Sequence, residues 1–253
     1  MLKLGKWGGL VLRGGDTPPA PSQTGVRVPT PWVPPAEKPW VPPDSTVPKP
    51  REVRPRLLFA LDGTGSRART LVAARPLTDS IVKGLPGSLD VAVAWHSGGE
   101  AKPFTAFTRD TGTLRDIVGS IECKVGGTRL LPILKKVLKL HVAVVVYIGD
   151  CFEESDAEAA RLAAALCRRQ TRVIILHEGP PPDAFGVIAE RSGGALLPFD
   201  RNAPDKMGNL LEAIGILAGG DIEALETVAP SMPEARLLLE NLSDRKLIGR
   251  RTT

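Results

Sequence analysis

Cysteine is scarce in this 253-residue chain: Cys123, Cys151 and Cys167 stand too far apart for a disulfide framework or a zinc pattern, which points to a reducing compartment. Aromatic residues make up only 4%, so a core has to rest on Leu, Ile, Val and Ala, a composition that favours aliphatic strands packed against Ala-rich helices. Long apolar runs are missing too. The longest, Val142 to Ile148, has the length of a strand, and the patch from Trp7 to Leu12 is too short for a signal-peptide core or a membrane span. These absences predict a cytoplasmic protein without a membrane span. Histidine offers little: His96, His141 and His177 are expected in core or surface roles rather than catalysis.

Charge of one sign is lacking in most of the chain. From Leu57 to Thr253 Lys plus Arg equals Asp plus Glu, so the formal +5 resides in residues 1–56, with nine basic and four acidic side chains. Five charges over that length are a weak signal for nucleic acid or anionic lipid, and a solvated linker is the simpler expectation. Thr17 to Pro55 holds 13 of the 24 prolines, which remove backbone donors and fix φ, so this leader is predicted to be extended and unpacked. Within it Pro31-Trp32-Val33-Pro34-Pro35 recurs as Pro39-Trp40-Val41-Pro42-Pro43. The repeat is either a docking peptide that inserts Trp32 and Trp40 into a partner's pocket, or a spacer whose tryptophans pack on their own domain. The domain organisation expected is a basic proline-rich leader over 1–55, a globular domain over 56–229 and a helical extension with a frayed end over 230–253.

The globular part alternates strand and helix patterns. Leu57 to Leu61 reads as a buried strand, Ala68 to Lys83 as a helix ended by Gly84-Leu85-Pro86-Gly87, and Asp90–His96 with Lys102–Phe107 as an antiparallel edge hairpin about Ser97-Gly98-Gly99-Glu100. Helices follow over Thr113–Ile121 and from Thr128, placed as N-cap, and then a strand over His141–Ile148. Ser155 and Glu158 form a capping box for a helix through Cys167. Thr171–Leu176 and Gly194–Phe199 are strands, and Asp183–Arg191, Pro204–Leu217, Ile222–Val228 and part of Pro230–Leu242 are helices. This pattern predicts a doubly wound α/β fold with a mainly parallel sheet covered on both faces.

In such sheets ligands gather beyond the carboxyl ends of the strands, where strand order reverses. Asp62, Thr64 and Ser66 follow one strand, Asp150 follows another, and Thr128 stands on a loop between them in sequence. Two carboxylates and three hydroxyls are hard oxygen donors, suited to Mg²⁺ or Mn²⁺ with some water retained. Asp62-Gly63-Thr64 after an apolar strand also resembles haloacid dehalogenase-type phosphohydrolases. The nucleophilic aspartate of those enzymes would fall at Ala60, and without a carboxylate no phosphoaspartate forms. A third glycine for a dinucleotide fingerprint and a phosphate-cradling Gly-Lys-Ser/Thr are both missing.

Asp62-x-Thr64-x-Ser66, a threonine after Gly126-Gly127, and Gly149-Asp150 together resemble the metal-ion-dependent adhesion site of von Willebrand factor type A domains, over Arg56 to about Val228. The resemblance implies a Rossmann-like, six-stranded, mainly parallel sheet with one antiparallel edge strand and helices on both faces. It implies a cation held by Asp62, Thr64, Ser66, Thr128 and Asp150, with Thr64 departing from the family's usual serine. It further implies a non-catalytic adaptor of the intracellular, bacterial type, whose protein partner completes the metal shell with an Asp or Glu, alongside AAA-type ATPases or in multiprotein assemblies. The alternative is a metal-dependent hydrolase, or a structural domain whose site is vestigial. Cys123 and Cys151 neighbour this site in sequence and are expected as buried thiols.

Overall fold

The computed structural model describes residues 54–67 and 89–243. The proline-rich leader with Trp32 and Trp40, the helix expected over 68–83 with its stop at 84–87, and the basic end from 244 lie outside the described residues. β1 runs Arg56–Asp62 and is followed by a single 3₁₀ turn, Gly65–Arg67. Then come β2 (Asp90–Ser97), β3 (Glu100–Ala101), α1 (Thr111–Gly119), α2 (Leu130–Val137), β4 (Val144–Gly149) and α3 (Asp156–Cys167). The chain continues through β5 (Arg172–His177), α4 (Asp183–Arg191), β6 (Ala195–Pro198), α5 (Pro204–Val228) and α6 (Pro233–Asn241).

Six strands form one sheet in the order β3-β2-β1-β4-β5-β6. All neighbours pair in parallel except β2 with β3. β1 is the most apolar opening the domain has, buried from Leu57 to Asp62, and it accordingly lies inside the sheet with partners on both edges. Alternate residues divide the core into two layers. Leu57, Phe59 and Leu61 face the layer built with α1, α5 and α6; Leu58 and Ala60 face the layer built with α2, α3 and α4. Each fully buried Leu, Ile or Phe in these layers contributes roughly 1.5–3 kcal/mol. From α6, Ala235, Leu238 and Leu239 join the first layer.

The edge hairpin is shorter than its sequence suggests: its second strand is Glu100–Ala101, and the strand expected over Lys102–Phe107 is not formed. Gly98 and Gly99 turn the chain with φ of +63° and +76°, a turn only glycine adopts readily at both positions. β3 then stops after two residues, because Pro103 has no N–H to continue the ladder. Pairing resumes irregularly, with Thr105 N–H donating to Val93 O at 3.0 Å and Val91 and Thr108 exchanging bonds at 2.8 and 2.9 Å. Elsewhere the local signals hold: Ser155 Oγ caps α3 by accepting from Glu158 N–H at 3.3 Å, and α4 occupies Asp183–Arg191 as expected. The two helices expected after Pro204 follow one another without a loop, broken only at Asp221, where φ is +65° and ψ −167°.

Thr128 does not cap α2. The helix starts two residues later at Leu130, and the cap residue Arg129 makes no side-chain bond to it. The free N–H of Leu131 is instead satisfied from another loop, by Glu154 Oε2 at 2.9 Å. Burial pushes the Glu154 carboxyl above its ordinary value, against the pull of the Leu131 and Leu130 N–H groups.

Candidate metal centre

β2 departs from one side of β1 and β4 from the other, so the strand order reverses at the carboxyl end of β1. There the chain leaves the sheet at Asp62, which is 2% exposed. Its Oδ1 accepts from Thr64 N–H at 2.8 Å, a tight turn that brings the two following hydroxyls, Thr64 Oγ1 and Ser66 Oγ, to 3.4 Å from one another. The contiguous part of the predicted donor set is thus one cluster.

Other loops are lashed to this turn by backbone. Gly63 N–H donates to His96 O at 2.8 Å, and Lys124 N–H donates to Gly63 O at 3.1 Å. Ser97 Oγ donates to Glu122 O at 2.7 Å. Gly126 lies so close to the Gly98-Gly99 turn that an added Cβ would stand 2.2 Å from Gly99 N, which is why this loop requires glycine.

Released from capping, the buried Thr128 is held by the loop after β4. Glu153 N–H donates to Thr128 Oγ1 at 3.0 Å, and Thr128 N–H donates to Glu153 Oε2 at 3.1 Å. That reciprocal pair ties Thr128 to the segment that carries Asp150, three residues before Glu153. The surroundings of Cys151 register the result: burial and then the charges of Glu153, Asp150 and Asp62 push its thiol above the ordinary value. The carboxylates that follow β1 and β4 therefore share one neighbourhood. Contrary to expectation, Cys151 itself is exposed and Cys123 half-buried.

These residues fit a divalent cation. Hydroxyl and carboxylate oxygens are hard donors, and the Asp62 and Asp150 carboxylates at one pole favour a positive charge between them. Among the described residues no three His, Cys, Asp or Glu side chains converge, so a cation here would rest on hydroxyls beside two carboxylates. Arg129 is a cation of this region: after burial, its charge is the next cause that holds the His96 pKa down at about 4, against an upward pull from Asp150.

Two buried residues at the floor extend the site beyond the sequence expectations, which give His96 a core or surface role and Tyr147 none beyond its strand. His96 is fully buried, one of the two roles expected of it, and pairs in register with Asp62. Its Nδ1 stands 3.7 Å from Asp62 Oδ1, and its Nε2 lies 3.0 Å from the hydroxyl of the equally buried Tyr147. Nothing local signals this arrangement, since His96 and Tyr147 are 51 residues apart. The only sequence trace is Gly149: an added Cβ there would lie 2.5 to 2.6 Å from the Tyr147 ring and hydroxyl.

No family model matches the chain, and neither does any curated protein. Among solved structures the SpRpn10 VWA domain is similar, with a TM-score of 0.51 and 12% identity over 62% of this chain and 95% of that one. Proximal thread matrix protein 1 from the mussel byssus matches at a TM-score of 0.50 and 12% identity over 63% of this chain, which spans 46% of the mussel protein's length. A further structure of the mussel protein, with a zinc-occupied MIDAS motif, matches at a TM-score of 0.50 and 12% identity over 63% of this chain and 45% of that one. The fold is that of von Willebrand factor type A domains. A six-stranded sheet, parallel but for one edge strand and covered by helices on both faces, is the architecture the sequence predicts.

Proposed function

We propose that the chain is a divalent-metal-dependent protein-interaction module. Asp62, Thr64, Ser66, Thr128 and Asp150 would hold Mg²⁺ or Mn²⁺, and the protein acts as an adaptor rather than a catalyst. The observation that carries this reading is Thr128. Its hydroxyl is relieved of the helix-capping role its position suggests and is instead drawn toward the Asp150 loop by Glu153.

The chemistry follows from the donor set. Neutral hydroxyls leave much of a cation's charge uncompensated, so a bound ion supplies a strong, directional attraction for a carboxylate. The partner is therefore a protein that presents an Asp or Glu side chain. The zinc-occupied MIDAS motif of the similar mussel protein supports a cation at this pole. Phosphoryl chemistry is disfavoured by Ala60, which is fully buried beneath the site and offers no nucleophile.

The wider setting belongs to the same proposal. The chain works in the cytoplasm, in a multiprotein assembly or with an AAA-type ATPase. Its leader, over 1–55, serves as a second docking segment through Trp32 and Trp40 or as a spacer, the domain spans 56–229, and 230–253 extends it. Among the described residues no helix is long and apolar enough to cross a membrane.

Calorimetric titration of Mg²⁺ and Mn²⁺ into the full chain and into Asp62→Ala tests the metal. Saturable binding by the wild type that Asp62→Ala abolishes is the expected result. Equal heats from the two proteins would falsify the proposal.

A further inference from the structure

We propose that Tyr147 and His96 are positioning residues of the cation site, a buried chain from hydroxyl to imidazole to carboxylate that holds Asp62 for its metal. The inference rests on the metal reading above, and goes beyond the five oxygen donors.

The charge of Asp62 favours one sense for the chain. Tyr147 reaches His96 Nε2 at 3.0 Å, and the two rings lie 6.0 Å apart at 28°. On a neutral imidazole one nitrogen donates and the other accepts. If Tyr147 O–H donates to Nε2, the proton sits on Nδ1 and points its dipole at Asp62 Oδ1, 3.7 Å away. The opposite tautomer would set an Nδ1 lone pair against a carboxylate oxygen in a buried site. Nδ1 has no hydrogen-bond partner among the described residues, and 3.7 Å exceeds a hydrogen bond, so the contact orients the carboxylate electrostatically.

The sheet is built to admit this pair. Ala60 pairs in register with Ala94 on one side and with Tyr147 on the other. Those two methyl side chains leave room for the Tyr147 ring to extend from β4 across β1 toward β2. Gly149 completes the slot, since any side chain there would strike the ring within 2.6 Å. The glycine before Asp150 and the alanine two before Asp62 thus serve one purpose. Groups that orient metal-ligating carboxylates typically change affinity by about 10–100-fold when removed.

The test uses the full chain. Its three histidines and single tyrosine make ¹⁵N imidazole spectra assignable by substitution. In metal-free protein His96 is expected as the Nδ1–H tautomer, and the Nε2–H tautomer overturns the proposal. Calorimetry with Mg²⁺ then compares the wild type with Tyr147→Phe, His96→Gln and Phe185→Leu. Phe185 packs edge-on against Tyr147 at 5.7 Å without belonging to the chain, and controls for stability. Tyr147→Phe and His96→Gln should weaken binding by about 10–100-fold, with Phe185→Leu lowering Tm but retaining affinity. Wild-type affinity in Tyr147→Phe, or an equal loss in Phe185→Leu, sinks the positioning role while leaving the metal site intact. A wild type that binds neither Mg²⁺ nor Mn²⁺ defeats the metal reading and this inference together.

Discussion

Asp110 spends both carboxylate oxygens on the start of α1. Oδ1 accepts from Gly112 N–H at 3.1 Å, and Oδ2 accepts from Thr113 N–H at 3.2 Å and from the Thr113 hydroxyl. The Thr113 hydroxyl, then the two N–H groups, hold the Asp110 carboxyl below its ordinary value of 3.8. A depressed carboxyl stabilises the fold fully above the unfolded value and loses that contribution as pH falls through the folded one. Asp110→Asn keeps an acceptor but cannot titrate. Its Tm should therefore fall less than the wild type's as pH drops below about 4, as thermal melts across a pH series would show; an unchanged acid slope refutes the assignment. The same contrast between local and distant partners governs what could be read at the site. Asp62, Thr64 and Ser66 are legible because the turn that gathers them is contiguous. His96 and Tyr147 are not, because their meeting depends on which strands flank β1. Thr128 was misplaced as a cap, since Glu154, the residue that caps α2, comes from the loop after β4.

Among the elements, α5 carries the clearest strain. Asp221 sits at φ +65° and ψ −167°, a region that essentially only glycine occupies without cost, on the order of 1–3 kcal/mol. Its compensation is an ion pair with Arg172 at 3.4 Å, whose Asp221 side chain is 72% exposed. Such exposed pairs contribute about 0–1 kcal/mol. The strain outweighs the pair, so Asp221→Gly should raise Tm by about 2 °C, measured by calorimetry; a lower Tm would mean the ion pair dominates. Gly219 and Gly220 lie between the two expected helices and signal a stop, yet not its form. A sequence with two stop signals predicts a gap, whereas the chain kinks at a single residue, Asp221. The edge hairpin shows the converse limit: alternation announced a long second strand, and one missing proline N–H reduced β3 to two residues.

At the scale of the molecule, the alternation of apolar strands and amphipathic helices made the two-layered architecture legible, because each strand had to be buried on both faces. Strand order is not written in any local pattern; the resemblance carried by five scattered oxygen donors implied an antiparallel edge strand but no order, and so the floor beneath the donors went unseen. β1, held on both edges and covered on both faces, now bears on time as well as position. Its amides can reach solvent only when the sheet itself comes apart, whereas the loop 123–127 that closes the site is anchored by a few bonds. Hydrogen–deuterium exchange should find Leu58–Leu61 slowest, at the global unfolding limit, with Lys124–Gly127 faster by local opening and slowed by Mg²⁺. Loop amides indifferent to Mg²⁺ would contradict this. One half of the site keeps the clock of the whole fold, and the other half keeps its own.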